Sequence, residues 1–434
     1  MKKIILFCAI FLAGLCQPKS ALSEPASSSD TQALSLSKAL VMAEQLNPLL
    51  LAAQASARSA IGITWQAGLA PNPILSVEFD EFAGTGQFKG TSSIKSSVGL
   101  SQPIITAGKR GKKVSIARSG ERISQLAMQL QLAELRQQVT EDFLKVYLLQ
   151  NLSKIQLQSL ELARQAATAV SKRVVAGEAP AIDETRAEVE LSSEEVSLRR
   201  LNRELESART RLAASWNADS PEFSRVYLEP HSILDITLCE PQSVNTSTYP
   251  EVEQAEILAI QRRQEMALAK AESTPDLQLS TSLSRFRASG DRAFAVGISM
   301  ELPLFDRRQG RRREISSAIQ AAAQKKVASR REFTSRITAL YSEVISLREE
   351  LANVNKRLLP AADRAFSETN RAYEEGEREL IDLLDARRTY LDATRTSLTL
   401  QHELLLKTAE YAIITGNADS FVQAISDNEE TKNQ

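Results

Sequence analysis

One succession of segments occurs twice in this sequence. In the first copy, a Pro-Asn-Pro sequence at 71–73 precedes two segments of alternating apolar and polar residues, then Gln-Pro-Ile-Ile at 102–105 and a long helical pattern interrupted at Gly177. In the second copy, two alternating segments precede Leu-Pro-Leu-Phe at 302–305 and a long helical pattern interrupted at Gly376. A fixed internal period indicates that each copy forms the same structural unit. The predicted unit is a short helix, a strand hairpin, a long helix, a turn and a second long helix.

The N-terminus has the three parts of a secretory signal peptide. Lysines stand at positions 2–3, an apolar run covers 4–15, and a small-x-small sequence occupies 21–23. The apolar run is too short to cross a membrane as a stable helix. We therefore predict a signal peptide at 1–23. Acylation of Cys16 is the alternative, although Leu15 fits a lipobox poorly.

The repeat and the composition of the intervening segments predict the organisation of the chain. Polar or Pro-containing stretches separate the helical and strand patterns. The predicted divisions are the signal peptide at 1–23, a polar linker at 24–36, the first repeat at 37–216, a connector at 217–247, the second repeat at 248–416 and a polar tail at 417–434.

The two predicted hairpins have one apolar and one polar face. Leu75, Val77 and Phe79 alternate with polar residues in the first hairpin, and the second hairpin repeats the pattern. A period of two with contrasting faces is typical of a strand between two different media. The polar face carries candidate residues for the lumen of a barrel, although a generic wet wall is an open alternative: Glu78, Asp80 and Lys95.

The helical patterns are unusually long. The stretch 108–175 would extend about 100 Å as a helix at about 1.5 Å per residue, and 309–373 is nearly as long, with Pro360 as a possible kink. The return helices contain leucines at every seventh position, which favours coiled-coil packing. These leucines are Leu191, Leu198, Leu205 and Leu212 in the first repeat and Leu384, Leu391, Leu398 and Leu405 in the second.

Charge and motif content exclude several functional classes. The chain has 53 Lys+Arg and 54 Asp+Glu, with a net charge of −1, which argues against a broadly basic nucleic-acid-binding protein. No catalytic triad, phosphate loop or nucleotide fingerprint is found, so we expect neither an enzyme nor a bound cofactor. Outside the signal peptide, His231, His402 and Cys239 have no zinc-like spacing, so no metal site is expected.

Closure of the strands requires more than one copy of the chain. Four amphipathic strands cannot form a closed membrane barrel, and an open strand edge in lipid is prohibitive. Since the mature chain has no apolar run long enough for a transmembrane helix, it could enter a membrane only as β-structure. Three copies would supply twelve strands. The predicted fold class is mainly α with a small β membrane part: long antiparallel helical hairpins form an α-barrel, and four strands per chain contribute to a trimeric twelve-stranded β-barrel.

These features resemble the TolC family of outer membrane efflux channels across essentially the whole mature chain, and most of all its CzcC-like branch, which is linked to divalent-metal efflux. No single motif carries the resemblance; order, spacing and repetition do. The matching stretches are Leu-Ala-Pro-Asn-Pro at 69–73, Leu-Ser-Gln-Pro at 100–103, Gly-Lys-Arg at 108–110, Ala-Gly-Glu-Ala-Pro at 176–180, Glu-Thr-Arg-Ala at 184–187 and Pro-Leu-Phe-Asp-Arg at 303–307.

The resemblance implies a location and a set of partners. The barrel would lie in the outer membrane and the helical tunnel in the periplasm. The implied partners are two further copies of the chain, a periplasmic adaptor, an inner-membrane pump of the RND type and outer membrane lipids. The implied function is a passive exit duct for efflux, with divalent metal cations as the expected substrate. Alternatives are a duct for type I protein secretion or drug efflux, and a periplasmic coiled-coil adaptor without a pore.

The turns between long helices contain the candidate functional residues. Gly177, Glu178, Gly376 and Glu377 form the predicted adaptor-docking tips, although the glycines would also simply end helices in the left-handed conformation. Asp382 and Asp385 share a helix face beyond the second tip. The family has similarly placed aspartates at its periplasmic constriction, and a carboxylate ring would select cations. The alternative is that Asp382 helps start the helix and interacts favourably with its positive end.

Two clusters of basic residues follow the predicted hairpins. We interpret them as contacts to lipid phosphates at the inner leaflet, with a solvated charged face as the alternative. The clusters are Lys109, Arg110, Lys112 and Lys113 in the first repeat, and Arg307, Arg308, Arg311, Arg312 and Arg313 in the second.

Overall fold

The computed structural model describes residues 33–228, 238–246 and 249–426. The predicted signal peptide, the acylation alternative at Cys16, and His231 lie outside these described residues. Within the described ranges, the chain is mainly helical and contains a four-stranded and a two-stranded sheet.

The predicted unit is present in both repeats. The first comprises β1 (Leu34–Ser35), α1 (Leu36–Leu46), α2 (Pro48–Ala67), β2 (Ile74–Asp80), β3 (Lys95–Ile104), α3 (Lys109–Val175) and α4 (Ala181–Ala214). The connector contains β4 (Val226–Tyr227). The second comprises α5 (Pro250–Ala271), β5 (Leu277–Phe286), β6 (Arg292–Met300), α6 (Gln309–Asn353), a π-helical turn (Val354–Leu358), α7 (Leu359–Glu374) and α8 (Leu380–Thr415), followed by α9 (Ala418–Ser426).

Two interruptions of the helices have local causes. The Asn47 side chain accepts hydrogen bonds from the N–H groups of Leu49 and Leu50 at 3.0 and 3.1 Å, so it caps α2 where Pro48 cannot continue α1. In the second repeat, the π-helical turn directly precedes α7, in which Pro360 occupies the first turn. Because proline lacks an N–H group, the wider turn accommodates the missing helical hydrogen bond.

Two predicted boundaries are wrong. The linker at 24–36 ends too late, because Leu34 and Ser35 form β1, which pairs in parallel with β4, and Leu36 begins α1. The segment 417–434 is not a simple polar tail, because residues 418–426 form α9 and Phe421 is only 2% exposed. Isolated apolar side chains in polar segments hold both ends of the described chain against the core.

The strands and helices form three layers. Each layer contains four neighbouring elements, two from the first repeat beside two from the second. The four-stranded sheet is antiparallel throughout, with the order β2-β3-β5-β6. Beside it, α2 packs on α3, α3 on α5 and α5 on α6. At the far end, α4 packs on α3, α3 on α8 and α8 on α7. The first repeat therefore supplies one half of each layer, and the second supplies the other.

The largest core surrounds the middle of the long helices. It joins α1, α2, α3, α4, α8, α9 and the connector around fully buried Val139, Phe143 and Leu144. A much smaller core lies at the tips, where Val170, Ala187 and Leu380 are buried together. The long helices are thus held most firmly near their middle, which leaves the sheet at one end and the tips at the other.

Candidate functional site

The two helix-hairpin tips have the same backbone structure. Gly177 and Gly376 adopt φ of 74° and 79°, the left-handed conformation that glycine reaches without strain. In the first tip, the N–H of Glu178 donates to the carbonyl of Arg173 at 2.8 Å; in the second, the N–H of Glu377 donates to the carbonyl of Ala372 at 2.8 Å. This is the Schellman pattern of helix termination, so the four predicted tip residues occupy equivalent places.

The tips lie side by side at one end of the molecule. The guanidinium of Arg173 is 5.6 Å from the ring centre of Tyr373, which joins the end of α3 to the end of α7. An open groove of about 430 Å³ separates the tips, and both Gly376 and Glu178 line it. A partner that binds this end of the chain would therefore contact both repeats at once.

The two predicted constriction residues lie just past the second tip. Asp382 is in the first turn of α8 and is 3.6 Å from the guanidinium of Arg378. Asp385 is exposed and has no ion pair within the described chain. Asp382 does not cap α8, whose N-cap residue is Glu379, but its place in the first turn suits the positive end of the helix. Both carboxylates are therefore available to solvent at the tip end of α8.

A buried polar cluster next to these aspartates was not predicted from the sequence. The Arg387 side chain is 5% exposed and donates through Nη2 to the backbone carbonyl of Ser159 and, at 2.7 Å, to its hydroxyl. The same nitrogen is 3.5 Å from the carboxylate of Glu194, which also accepts from Gln156. Arg387 therefore ties α8, only two residues beyond Asp385, to both α3 and α4.

Burial of this arginine carries an energetic cost. Its Nε and Nη1 are buried without a hydrogen-bond partner. Burial lowers the pKa of Arg387, and the nearby Glu194 opposes that change. The only sequence signal for such a residue is an arginine among the apolar positions of a helix that otherwise packs as a coiled coil.

The four-stranded sheet exposes its apolar face. Val77, Phe79 and Val98 are 57%, 57% and 52% exposed, whereas Ser97 and Ser284 on the polar face are buried and share a hydrogen bond of 2.9 Å. A globular sheet has the reverse arrangement, with its apolar face packed on a core. The observed arrangement of faces is expected when a sheet separates an apolar medium from a polar one.

The three candidate lumen residues share the polar face. The strand register places Glu78 opposite Ser97, and Asp80 opposite Lys95. The Lys95 ammonium is 3.7 Å from the Asp80 carboxylate and 6.0 Å from the ring centre of Phe286. Asp80 and Lys95 therefore largely neutralise each other.

The basic clusters are only partly available to phosphates. Lys109 is buried: its ammonium donates to the Thr274 carbonyl at 2.6 Å and to Asp276 at 2.8 Å. It thus joins the start of α3 to the start of β5, and the prediction of lipid contact is wrong for this residue, because Asp276 from the other repeat pairs with it. Arg110 and Lys113 are exposed, as are the five arginines of the second cluster.

The possible metal ligands are dispersed. No group of three potential His, Cys, Asp or Glu ligands occurs in the described part of the chain. Burial lowers the pKa of His402 to about 4, and Lys145 acts in the same direction. Cys239 is exposed as a free thiol. Among the helices of the described ranges, none is both long and apolar enough to cross a membrane.

Known proteins share both the sequence pattern and the fold. The model of the outer membrane efflux protein family matches residues 39–218 and 247–416. The cobalt-zinc-cadmium resistance protein CzcC of Cupriavidus metallidurans is 30% identical over 369 residues, which cover 83% of this chain and 84% of CzcC.

Solved structures of outer membrane channels superpose on most of the chain. CusC matches with a TM-score of 0.76 and 15% identity, covering 89% of this chain and 95% of CusC. The open state of MtrE from Neisseria gonorrhoeae matches with a TM-score of 0.73 and 19% identity, covering 94% and 98%. The predicted fold class, outer membrane location and resemblance to TolC-like channels are thus confirmed, and the chain belongs to the outer membrane efflux protein family.

Proposed function

We propose that three copies of this chain form the exit duct of a tripartite efflux system. Their twelve strands would form one barrel in the outer membrane, and their helices a tunnel through the periplasm. The observation that carries this proposal is the common lateral order of the three layers. Each layer has one free edge from the first repeat and one from the second: β2 and β6, α2 and α6, and α4 and α7.

Free edges on matching sides favour closure by identical copies. Among the described strands, β2 and β6 each have one unpaired side, and unpaired backbone groups are very costly in lipid. Joining β6 of one copy to β2 of the next removes these edges, and the same rotation brings α6 to α2 and α7 to α4. A repeated head-to-tail contact closes into a ring when the rotation permits it.

Divalent metal cations are the proposed substrate. The relative CzcC carries cobalt-zinc-cadmium resistance in its name. Asp382 and Asp385 would place six carboxylates at the tunnel entrance of a trimer, which would attract cations and disfavour anions. Since the duct itself has no energy source, an inner-membrane pump of the RND type would drive transport.

The tip residues are the proposed contact for the periplasmic adaptor. Glu178 of the first tip and Gly376 and Glu377 of the second line the same groove, and Gly177 directly precedes Glu178 in the first turn. In the barrel, Glu78, Asp80 and Lys95 would line the lumen, since they share the polar face of the sheet. A duct for drug efflux or type I protein secretion would have the same fold. The exposed apolar sheet face argues against an adaptor without a pore.

Deletion of the gene tests the function and the substrate together. The deletion strain and its parent would be compared for growth in zinc, cobalt, cadmium, nickel and copper salts and in hydrophobic drugs. We expect selective sensitivity to divalent metals, restored by the intact gene. Sensitivity to drugs alone, or impaired export of a protein, would overturn the metal assignment in favour of the corresponding duct.

A further inference from the structure

The free edge of α4 has an apolar stripe that no other part of the described chain covers. Val189 and Val196 are each 65% exposed, although they lie seven residues apart in a helix with coiled-coil spacing. At about 100° per residue, they lie about 200° and 180° around the helix from Ala187, which is buried with Val170 of α3. The stripe therefore points away from α3, towards whatever stands beside α4.

The free edge of α7 presents charge instead. Arg364 lies about 200° around the helix from Phe366, whose ring stacks on Tyr390 of α8 with the ring centres 5.6 Å apart. Arg357, in the π-helical turn, and Glu350, near the end of α6, precede it along the chain, and all three side chains are exposed. Neither arginine has an ion pair within the described chain. From the tip inwards, two arginines without an ion pair in the described chain and then a glutamate are thus exposed along α7, the π-helical turn and the end of α6.

The charges beside the valine stripe have the opposite order. Glu188 and Glu195 lie next to the two valines, and Arg203 follows farther along α4. Glu188 and Arg203 have no ion pair within the described chain, while Glu195 has only an exposed one with Arg199 at 3.6 Å. Counted from the tip, the charges along α4 are negative, negative and positive. Those along α7, the π-helical turn and the end of α6 are positive, positive and negative.

The two series also match in depth, measured along the sequence from the glycine of each tip. The sequence separation between Gly177 and Glu188 differs by one residue from that between Arg364 and Gly376. The same is true of Glu195 and Arg357, each measured from the glycine of its own tip. Arg203 and Glu350 are equally far from their glycines. At about 1.5 Å per α-helical residue, Glu188 and Arg364 differ in depth by no more than about 2 Å, whereas the path from the tip to Arg357 and Glu350 passes into the π-helical turn. The contact between Arg173 and Tyr373 keeps the two tips level, so the comparison of depths is valid.

From this match we infer that α4 of one copy packs against α7 of the next in a fixed register. Glu188 pairs with Arg364 of the partner subunit, Glu195 with Arg357 of the partner subunit, and Arg203 with Glu350 of the partner subunit. The stems of the arginines cover Val189 and Val196, as long basic side chains commonly cover apolar surface. The inference rests on the proposed trimer and adds the residues that join its copies around the entrance.

Crosslinking in the intact channel tests the register. The background is the full chain with Cys239→Ser, so that only introduced thiols react. Glu188→Cys combined with Arg364→Cys should give covalent dimers and trimers with a short bismaleimide in outer membrane preparations. The matched control is Glu188→Cys with Arg357→Cys, which displaces one thiol by seven residues, or about 10 Å along the axis. Since α3 and α8 stand between α4 and α7 of one copy, a crosslink within a copy is not expected.

Charge exchange provides a second readout. Glu188→Arg or Arg364→Glu alone should speed the thermal dissociation of the trimer by about two- to fivefold per contact, as expected for exposed ion pairs. The double exchange should restore the original rate, and circular dichroism of the single variants should stay unchanged. Equal crosslinking of the control pair, or no restoration in the double variant, would overturn the register.

Native mass spectrometry of the extracted protein separates this inference from the proposed function. Trimers that crosslink only in the control pair would contradict the register and leave the duct intact. A protein that is monomeric in the outer membrane would contradict both.

Discussion

Replacement of Arg387 by methionine should loosen the tip end of α8. The substitution keeps a long side chain but removes the charge that Glu194 faces at 3.5 Å and two hydrogen bonds to Ser159. Glu194 is only 12% exposed, so loss of its partner leaves a carboxylate largely buried. Removal of one member of a buried ion pair typically costs about 3–5 kcal/mol.

Two features of the cluster reduce that cost. The Nε and Nη1 of Arg387 are buried without partners, and each such group costs about 1–3 kcal/mol in the wild-type chain. Methionine removes both and packs well in irregular spaces. Glu194 also keeps its bond from Gln156. We therefore expect a net loss of about 1–3 kcal/mol for local opening of α8.

Amide hydrogen exchange across α8 measures this directly, because it reports the free energy of local opening. A loss of about 2 kcal/mol corresponds to roughly thirtyfold faster exchange between residues 380 and 395, since about 1.4 kcal/mol is a factor of ten. Exchange around Phe143, in the large central core, should not change. Glu194→Gln in the Arg387→Met background should recover at least half of the loss. A coupling free energy between the two sites below about 0.5 kcal/mol would show that the pair does not hold α8.

Three further predictions address the tips, the entrance and pH. Gly376→Ala, which forces a side chain into the left-handed conformation, should destabilise the second tip by about 1 kcal/mol, measured as faster exchange there than at the unaltered first tip. Asp382→Asn with Asp385→Asn should lower cation selectivity and weaken block by multivalent cations in single-channel recordings; unchanged currents would remove both residues from the entrance. Burial raises the pKa of Asp142 to about 6 and lowers that of His402 to about 4. Asp142 thus contributes stability at low pH that is lost as the pH rises through 6, whereas His402 contributes stability above about 6.5 that is lost as the pH falls towards 4. Asp142→Asn should therefore make unfolding more acid-sensitive and His402→Gln less so, in thermal melts between pH 4 and 7; identical pH profiles would contradict both shifts.

The architecture was predictable because its signals are local and repeated. Alternation at 75–79, the seven-residue spacing from Leu191 and the glycines at 177 and 376 each specify a strand, a packed helix or a turn within a short window. Repetition supports each assignment with a second example. The structure places these elements as predicted, and both tips end in the same Schellman pattern.

The contacts between repeats were not predictable in this way. Arg387 and Ser159 are separated by 228 residues, and Lys109 and Asp276 by 167. Nothing in the neighbourhood of Lys109 distinguishes it from Arg110, yet the first is buried in an ion pair and the second is exposed. A single sequence reveals the type of a side chain but not the remote partner that determines its environment.

The distribution of the cores indicates where such a channel can change shape. The central core joins many helices and the connector, whereas the core at the tips is built on Val170, Ala187 and Leu380. Since regions with few buried apolar contacts open at the lowest free energy, the tip end is the part that can move without unfolding the rest. Specific polar contacts then decide its position, and Arg387 is buried beside Asp385. The tip end thus combines a small apolar core with one buried polar contact, so a change in that contact alters its position at a lower cost than repacking of the central core.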